Sequence, residues 1–97
     1  MSEEQPKALS NAEVERRAAQ LTGWKVAGNA LEKEYAFADF ASALAFVNRL
    51  GEAAEEQGHH PDVFLTWGKV KLTLSTHSVG GLSASDFQLA TSADRLL

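Results

Sequence analysis

The sequence of 97 residues contains no cysteine. The chain therefore forms no disulfide and has neither a thiolate nucleophile nor a cysteine-rich zinc site. Long apolar runs are missing as well, since no stretch approaches the roughly 18 apolar residues that a membrane-spanning helix needs. The first ten residues are polar and acidic, whereas a signal peptide has a basic start followed by an apolar run. We expect a cytoplasmic protein with no membrane association.

Positive charge is also scarce. Nine Lys and Arg residues oppose thirteen Asp and Glu residues, which gives a formal net charge of −4, and the basic residues are scattered along the chain. Nucleic-acid binding normally depends on a concentrated positive field. We therefore expect no direct contact with nucleic acid, although a role through a protein partner stays open.

The length favours a single domain. Residues 1–8 are polar and include Pro6, which is typical of a disordered tail, and residues 9–97 are predicted to form one domain. A domain of this size buries only about 60 to 65% of the surface that its unfolded chain exposes. Because such a core is thin, we expect the chain to associate into a homodimer or homotetramer.

Capping signals and apolar spacing predict two helices in the first half of the chain. Ser10 and Glu13 form a predicted capping box for a helix that begins near Asn11 and runs towards Gly23. Asp39 is predicted to cap a second helix that ends near Gly58. The predicted apolar face of this second helix consists of Phe40, Leu44, Val47, Leu50 and Ala54.

Alternating apolar residues predict two β-hairpins, with turns at Gly28-Asn29 and Gly68-Lys69. Ser83 and Asp86 repeat the capping-box pattern and predict a third helix from Ala84. The resulting order is α-β-β-α-β-β-α. It predicts an α+β fold, in which a four-stranded antiparallel sheet has three helices packed on one face.

The predicted fold brings the three histidines near one another. In the second hairpin, the predicted turn places Leu65 opposite Leu72 and, at the open end, His60 opposite His77. His59 belongs to the loop before this hairpin. Imidazole titrates near neutral pH, so three converging rings suit proton delivery to one substrate atom and proton removal from another. The alternatives are a polar loop at a helix end and a metal site, whose usual zinc spacings this chain does not match.

The histidines are part of a longer pattern that covers the chain from about residue 9 to its end. The pattern consists of Glu55, His59-His60-Pro61, Trp67, Leu74-Ser75-Thr76-His77, Gly81-Leu82-Ser83 and Asp86, with Gly23-Trp24 upstream. It resembles the signature of the pterin-4a-carbinolamine dehydratase family. The fold of that family has the same order of helices and strands as the one predicted above from the residues.

The resemblance implies an enzyme that dehydrates 4a-hydroxytetrahydrobiopterin to quinonoid dihydropterin during tetrahydrobiopterin recycling, with no cofactor and no metal. It implies catalytic roles for His59, His60 and His77, with proton transfer assigned to His60 and His77, while His59 positions the pterin or serves its opposite face. Some family members carry an acidic residue directly before the histidine pair, where this chain has Gly58. The residues for which the resemblance implies substrate contacts are Trp24, Glu55, Pro61, Ser75, Thr76 and Asp86.

The resemblance also implies partners and alternative functions. An aromatic amino acid hydroxylase would generate the pterin substrate and so share the pathway. Members of the family can instead act as dimerisation cofactors of transcription factors, a non-enzymatic role that would survive the loss of all three histidines. A third hypothesis is a pterin-binding protein in molybdopterin metabolism.

Overall fold

The computed structural model describes residues 7–97, so the predicted tail lies outside the described residues except for Lys7 and Ala8, which are exposed. The order of elements confirms the prediction. No helix in the described part of the chain is long and apolar enough to cross a membrane. The elements are α1 (Asn11–Ala18), β1 (Lys25–Ala27), β2 (Ala30–Ala36), α2 (Phe40–Gln57), β3 (Asp62–Thr66), β4 (Lys69–Leu74), a short 3-10 turn (His77–Val79) and α3 (Ala84–Asp94).

The four strands form one antiparallel sheet in the order β1-β2-β4-β3. Its two faces differ sharply, as expected for a sheet that is covered on one side. The helix-covered face contributes Leu31, Tyr35, Val70, Leu72 and Leu74 to the core. The other face carries charged residues together with the exposed ring of Phe64. There Lys71 lies 3.6 Å from Glu32 and Lys69 lies 4.0 Å from Glu34. The core therefore lies between this sheet and the helices.

The register of the second hairpin differs from the prediction by two residues. The turn is Trp67-Gly68, so Leu65 pairs with Val70 and not with Leu72. A shift of two residues keeps every side chain on the same face, and the hydrophobic pattern therefore does not distinguish the two registers. The backbone supplies the missing constraint: the carbonyl of Gly68 accepts the amide of Phe37 at 2.8 Å, and a Cβ at residue 68 would lie 3.0 Å from the Phe37 carbonyl oxygen.

The buried face of α2 is also rotated from the predicted one. Leu50 and Ala54 are buried as expected, but Phe40 and Leu44 are 44% and 39% exposed. Phe46 takes their place in the core, since its ring lies 4.7 Å from that of Tyr35. The observed buried residues are Ala43, Phe46, Leu50 and Ala54. The predicted and the observed buried faces of α2 therefore agree in the C-terminal half of the helix and differ in its N-terminal half.

Helix α1 is shorter than predicted and its capping box is only half formed. The helix ends at Ala18, and the chain turns before reaching Gly23. The Ser10 side chain accepts the amide of Glu13 at 3.2 Å, as predicted. The Glu13 carboxylate, however, pairs with Arg16 and with Arg17. These i,i+3 and i,i+4 partners lie on the same helix face as Glu13 and replace the predicted return contact to Ser10.

Candidate active site

The end of α2 fixes where the two adjacent histidines leave the helix. Gly58 adopts the left-handed conformation with φ 65°, which glycine reaches without a steric penalty. The amide of His59 donates to the carbonyl of Ala54 at 3.1 Å, and the amide of Gly58 donates to that of Glu55 at 3.2 Å. These two bonds form a Schellman motif. They account for a glycine directly before the histidine pair and set the starting direction of both side chains.

His59 faces inward and contacts Asp86 in the first turn of α3. Its Nε2 atom lies 2.5 Å from Oδ1 of Asp86. The Asp86 side chain is completely buried, and only 13% of the His59 side chain is exposed. Asp86 fulfils the capping box that the sequence predicts, because its Oδ2 atom accepts the amide of Ser83 at 3.0 Å. The cap of α3 and the histidine partner are therefore the same carboxylate.

A chain of hydroxyl groups continues from Asp86 into the segment after β4. The Thr76 hydroxyl donates to Oδ2 of Asp86 at 2.7 Å. Its oxygen also lies 2.8 Å from Oγ of Ser83. A hydroxyl has one hydrogen to donate, so the Ser83 hydroxyl donates to Thr76. Oδ2 of Asp86 thus accepts from the Thr76 hydroxyl and the Ser83 amide, and the N-terminus of α3 also favours a negative charge there.

His60 faces outward and contacts the second carboxylate of the predicted set. Its Nε2 atom lies 2.5 Å from Oε2 of Glu55. Both side chains are mostly exposed, at 63% and 78% respectively. Together with Pro61 and Val63 they line a groove of about 780 Å³ that runs along α2. The two neighbouring histidines therefore have matching carboxylate partners in opposite surroundings, one buried and one in solvent.

His77 does not occupy the position that the hairpin prediction gave it. The β3–β4 ladder ends at the pair Asp62 and Thr73, and continuing it would set Ser75, not His77, opposite His60. His77 instead begins the exposed 3-10 turn after β4. A bridge between Thr76 and Gly81 closes this turn. The predicted pairing of His60 with His77 is therefore wrong, because the turn lies one residue earlier than predicted and this shifts the pairing register by two residues.

Six of the nine predicted site residues fall into two groups. His59, Thr76 and Asp86 form one buried cluster. Glu55, His60 and Pro61 lie together on the groove. Trp24 belongs to neither group: it is 7% exposed and its indole N–H donates to Oδ2 of Asp94 at 3.1 Å. Ser75 and His77 flank Thr76 in the chain. Within residues 7–97, no group of three or more His, Asp or Glu side chains is placed to hold a metal ion.

Asp94, which the sequence did not single out, organises a second polar cluster at the other end of α3. Its Oδ1 atom lies 2.8 Å from Nζ of Lys33 and accepts the Tyr35 hydroxyl at 2.5 Å, while Oδ2 accepts the indole of Trp24. Burial, and next the hydrogen bond to Asp94, raise the pKa of Tyr35 above its ordinary range. The signal in the sequence was weak: an acidic residue in the last helical turn, where the helix dipole disfavours it.

Comparison with known proteins gives one consistent family. The family model described as pterin 4 alpha carbinolamine dehydratase matches residues 7–96. A protein of Roseiflexus sp. (strain RS-1), which carries the provisional name pterin-4-alpha-carbinolamine dehydratase, is 47% identical over 89 residues, covering 92% of this chain and 96% of the relative. A protein of the same provisional name from Trichormus variabilis is 44% identical over 88 residues, covering 91% and 95%.

Two solved structures are similar in fold. The crystal structure of a transcriptional coactivator/pterin dehydratase from Brucella melitensis has a TM-score of 0.90 and 28% identity, covering 93% of this chain and 98% of that one. A pterin dehydratase-like protein described as a RuBisCO assembly factor in the alpha-carboxysome has a TM-score of 0.62 and 27% identity, covering 75% and 84%.

Proposed function

Because the chain belongs to the pterin-4a-carbinolamine dehydratase family, we propose that it dehydrates 4a-hydroxytetrahydrobiopterin to quinonoid dihydropterin. This reaction would follow an aromatic amino acid hydroxylase and serve tetrahydrobiopterin recycling. The observation that carries the proposal is the pair of adjacent histidines, each with Nε2 at 2.5 Å from a carboxylate. Histidine is the side chain whose charge most readily changes near neutral pH.

The reaction requires an acid and a base but no oxidant. The C4a–O bond breaks as the hydroxyl accepts a proton and leaves as water. The N5–H bond releases its proton to a base, and its electron pair forms the C4a=N5 double bond. One proton is delivered and one is removed, so the protein ends with the charge with which it began. Two imidazole groups near one flat substrate meet this requirement.

We propose His59, His60 and His77 as the residues that carry these protons. His60 lies on an open groove, where Glu55 supports its ring and Pro61 adds an apolar edge. His59 is held by Asp86 from the protein interior. His77 enters the proposal through the family pattern and its exposed position directly after Thr76. Ser75 is the remaining candidate for substrate contact beside this turn.

Steady-state turnover of freshly generated 4a-hydroxytetrahydrobiopterin tests the proposal. Loss of a general acid or base lowers the rate by about 100-fold to 10000-fold, and we expect falls of this size for His59→Ala, His60→Ala and His77→Ala. Lys69→Ala, on the charged outer face of the sheet, is the control and should keep full turnover. Equal rates for the wild-type chain and all three histidine variants would refute the dehydratase function, and a chelator added to the same assay tests for metal dependence.

We also propose that the chain works as a homo-oligomer. Exposed apolar side chains on α2 and β3 support this proposal. Phe40 and Leu44 on that helix and Val63 on the edge strand β3 are each at least 39% exposed. Burying apolar side chains of this kind stabilises association. We expect the wild-type chain to sediment as a dimer or tetramer and Leu44→Glu to sediment as a monomer. A wild-type monomer at tens of micromolar would contradict this proposal.

The exposed apolar side chains of Phe40 and Leu44 on α2 also favour a second candidate function, that of a dimerisation cofactor. The name of the Brucella melitensis relative joins pterin dehydratase with transcriptional coactivator. Under this hypothesis, partner binding depends on Phe40 and Leu44 and survives replacement of all three histidines. Binding that disappears with the histidines would exclude it.

A further inference from the structure

We infer that Asp86 is a positioning residue that holds His59 in the tautomer with hydrogen on Nε2, so that His59 exchanges protons with substrate through Nδ1. The inference rests on the proposed dehydratase function and assigns a direction to one of its histidines. It concerns a carboxylate that the family resemblance placed among the substrate contacts. The Asp86 side chain is completely buried, so it acts through His59 and does not touch the substrate.

The direction of the hydrogen bonds around Asp86 carries the argument. Oδ2 of Asp86 accepts the Ser83 amide at 3.0 Å and the Thr76 hydroxyl at 2.7 Å. Ser83 lies at the N-terminus of α3, which stabilises a negative charge. Asp86 is therefore a carboxylate, and a carboxylate only accepts hydrogen bonds. The hydrogen between Asp86 and His59 must then reside on Nε2 of the ring.

This hydrogen stays on Nε2 in both charge states of His59. The neutral ring has one N–H and one lone pair, and the charged ring has two N–H groups. If Nε2 always carries hydrogen, the nitrogen that gains or loses a proton is Nδ1. The opposite tautomer would leave Nε2 and Oδ1 of Asp86 facing each other as two acceptors 2.5 Å apart. Because Asp86 is fully buried, no solvent relieves that repulsion.

The exposed pair on the groove lacks this constraint. His60 and Glu55 are at the surface, so water replaces Glu55 as a partner whenever the contact opens. Either nitrogen of His60 can then carry the single hydrogen of the neutral ring. The structure therefore predicts one histidine with a fixed proton direction and one without, although both contacts have the same length.

Asp86→Asn tests the inference with little change in shape. The Asn oxygen can still accept from Ser83 and Thr76, whereas its NH₂ group donates towards Nε2 of His59. We expect the neutral ring to carry its hydrogen on Nδ1 in this variant, which removes the lone pair needed for proton transfer. In serine proteases the corresponding change of an aspartate behind a histidine lowers kcat by about 10000-fold through the wrong tautomer. We expect kcat of Asp86→Asn to fall by about 100-fold or more.

Nitrogen-15 NMR of the histidine rings reports the tautomer separately from turnover. We expect wild-type His59 to carry hydrogen on Nε2 and Asp86→Asn to carry it on Nδ1. Asp39→Asn is the control: Asp39 is the N-cap of α2 and accepts the Ser42 amide at 2.8 Å, so it also makes a carboxylate-to-amide capping bond but has no histidine partner among the described hydrogen bonds. It should change neither the His59 spectrum nor kcat.

Two results would overturn the inference. One is a wild-type ring with hydrogen on Nδ1, a measurement that needs no variant and so does not depend on the folding of Asp86→Asn. The other is an Asp86→Asn variant whose tautomer switches while kcat stays within twofold of wild type. A wild-type chain with no dehydratase turnover would refute the proposed function, and the ring spectrum alone would then decide whether Asp86 fixes His59.

Discussion

Helix α3 has a carboxylate cluster at each end, and the two clusters differ in what their partners do. Oδ1 of Asp86 lies 2.5 Å from Nε2 of the His59 imidazole, and its Oδ2 accepts from a hydroxyl and a backbone amide. Asp94, about 12 Å further along the helix axis, accepts from Lys33, Tyr35 and Trp24. Each carboxylate has three hydrogen-bonding partners. Only the Asp86 cluster contains a group that ordinarily titrates near neutral pH.

The position on the helix explains why the partners differ. Asp86 is completely buried and lies in the first turn, where the helix dipole favours an anion. The 28% exposed side chain of Asp94 lies in the last turn, where the dipole opposes it, and Lys33 supplies a compensating charge. Under the proposed function the Asp86 cluster takes part in proton transfer, whereas the Asp94 cluster links the end of α3 to strand β2.

Removing the cationic or titratable partner from each cluster gives the largest expected contrast. We expect His59→Gln to lower turnover by about 100-fold to 10000-fold, because it removes one of the proposed proton carriers. Lys33→Gln should leave turnover within twofold and lower the free energy of unfolding by about 1 to 2 kcal/mol. Parallel turnover assays and urea titrations measure both effects. A similar loss of turnover in His59→Gln and Lys33→Gln would contradict the assignment of proton transfer to the Asp86 cluster alone.

Removing each carboxylate should give a smaller contrast, in stability. Asp86→Ala leaves buried donors from Thr76, His59 and the Ser83 amide without an acceptor, and we expect it to cost about 3 kcal/mol of unfolding free energy. Asp94→Ala should cost about 1 to 2 kcal/mol, since water reaches part of that cluster. Chemical denaturation of the two variants tests the order. A larger loss of unfolding free energy in Asp94→Ala than in Asp86→Ala would contradict this expectation.

The decline of unfolding free energy at alkaline pH should report on the Asp94 cluster, which contains Tyr35, and not on the Asp86 cluster. The raised pKa of Tyr35 means that the folded chain keeps the phenol proton after the unfolded chain has lost it. The stability contribution of Tyr35 is therefore complete below its ordinary pKa of about 10 and is lost as pH rises above that value. Tyr35→Phe should lower stability by about 1 kcal/mol at neutral pH and show a shallower alkaline decline.

Tyr35 is the single tyrosine of the chain, so ultraviolet titration of the phenol follows this group without overlap. The expected result is ionisation well above the ordinary range in the folded wild-type chain. Ionisation near pH 10 in the folded state, or identical alkaline declines for wild type and Tyr35→Phe, would contradict the structure of this cluster.

The sequence reveals local features of the fold better than distant contacts. The capping pattern of Ser83 and Asp86 predicts the start of α3 correctly, because both residues lie within one turn. The hairpin pattern predicts the sheet faces but not the register, because a two-residue shift leaves every side chain on its face. That shift produced the wrong pairing of His60 with His77.

Contacts between segments that are distant in the sequence could not be predicted from local patterns. The contact of His59 with Asp86 spans 27 residues and that of Trp24 with Asp94 spans 70. A capping role explains Asp86 equally well, so spacing alone does not identify its histidine partner. The family pattern includes both His59 and Asp86, but the complete burial of Asp86 is visible only in the folded chain.

The central claim is that the histidine rings, and not the Asp94 cluster, surround the pterin. Titration of the isotope-labelled chain with a stable dihydropterin, followed by NMR, tests this most directly. We predict that ring signals of His59, His60 and His77 shift together with one Kd while those of Tyr35 stay in place. Saturable shifts confined to Tyr35 and its neighbours, with the three histidine rings unchanged, would contradict the account.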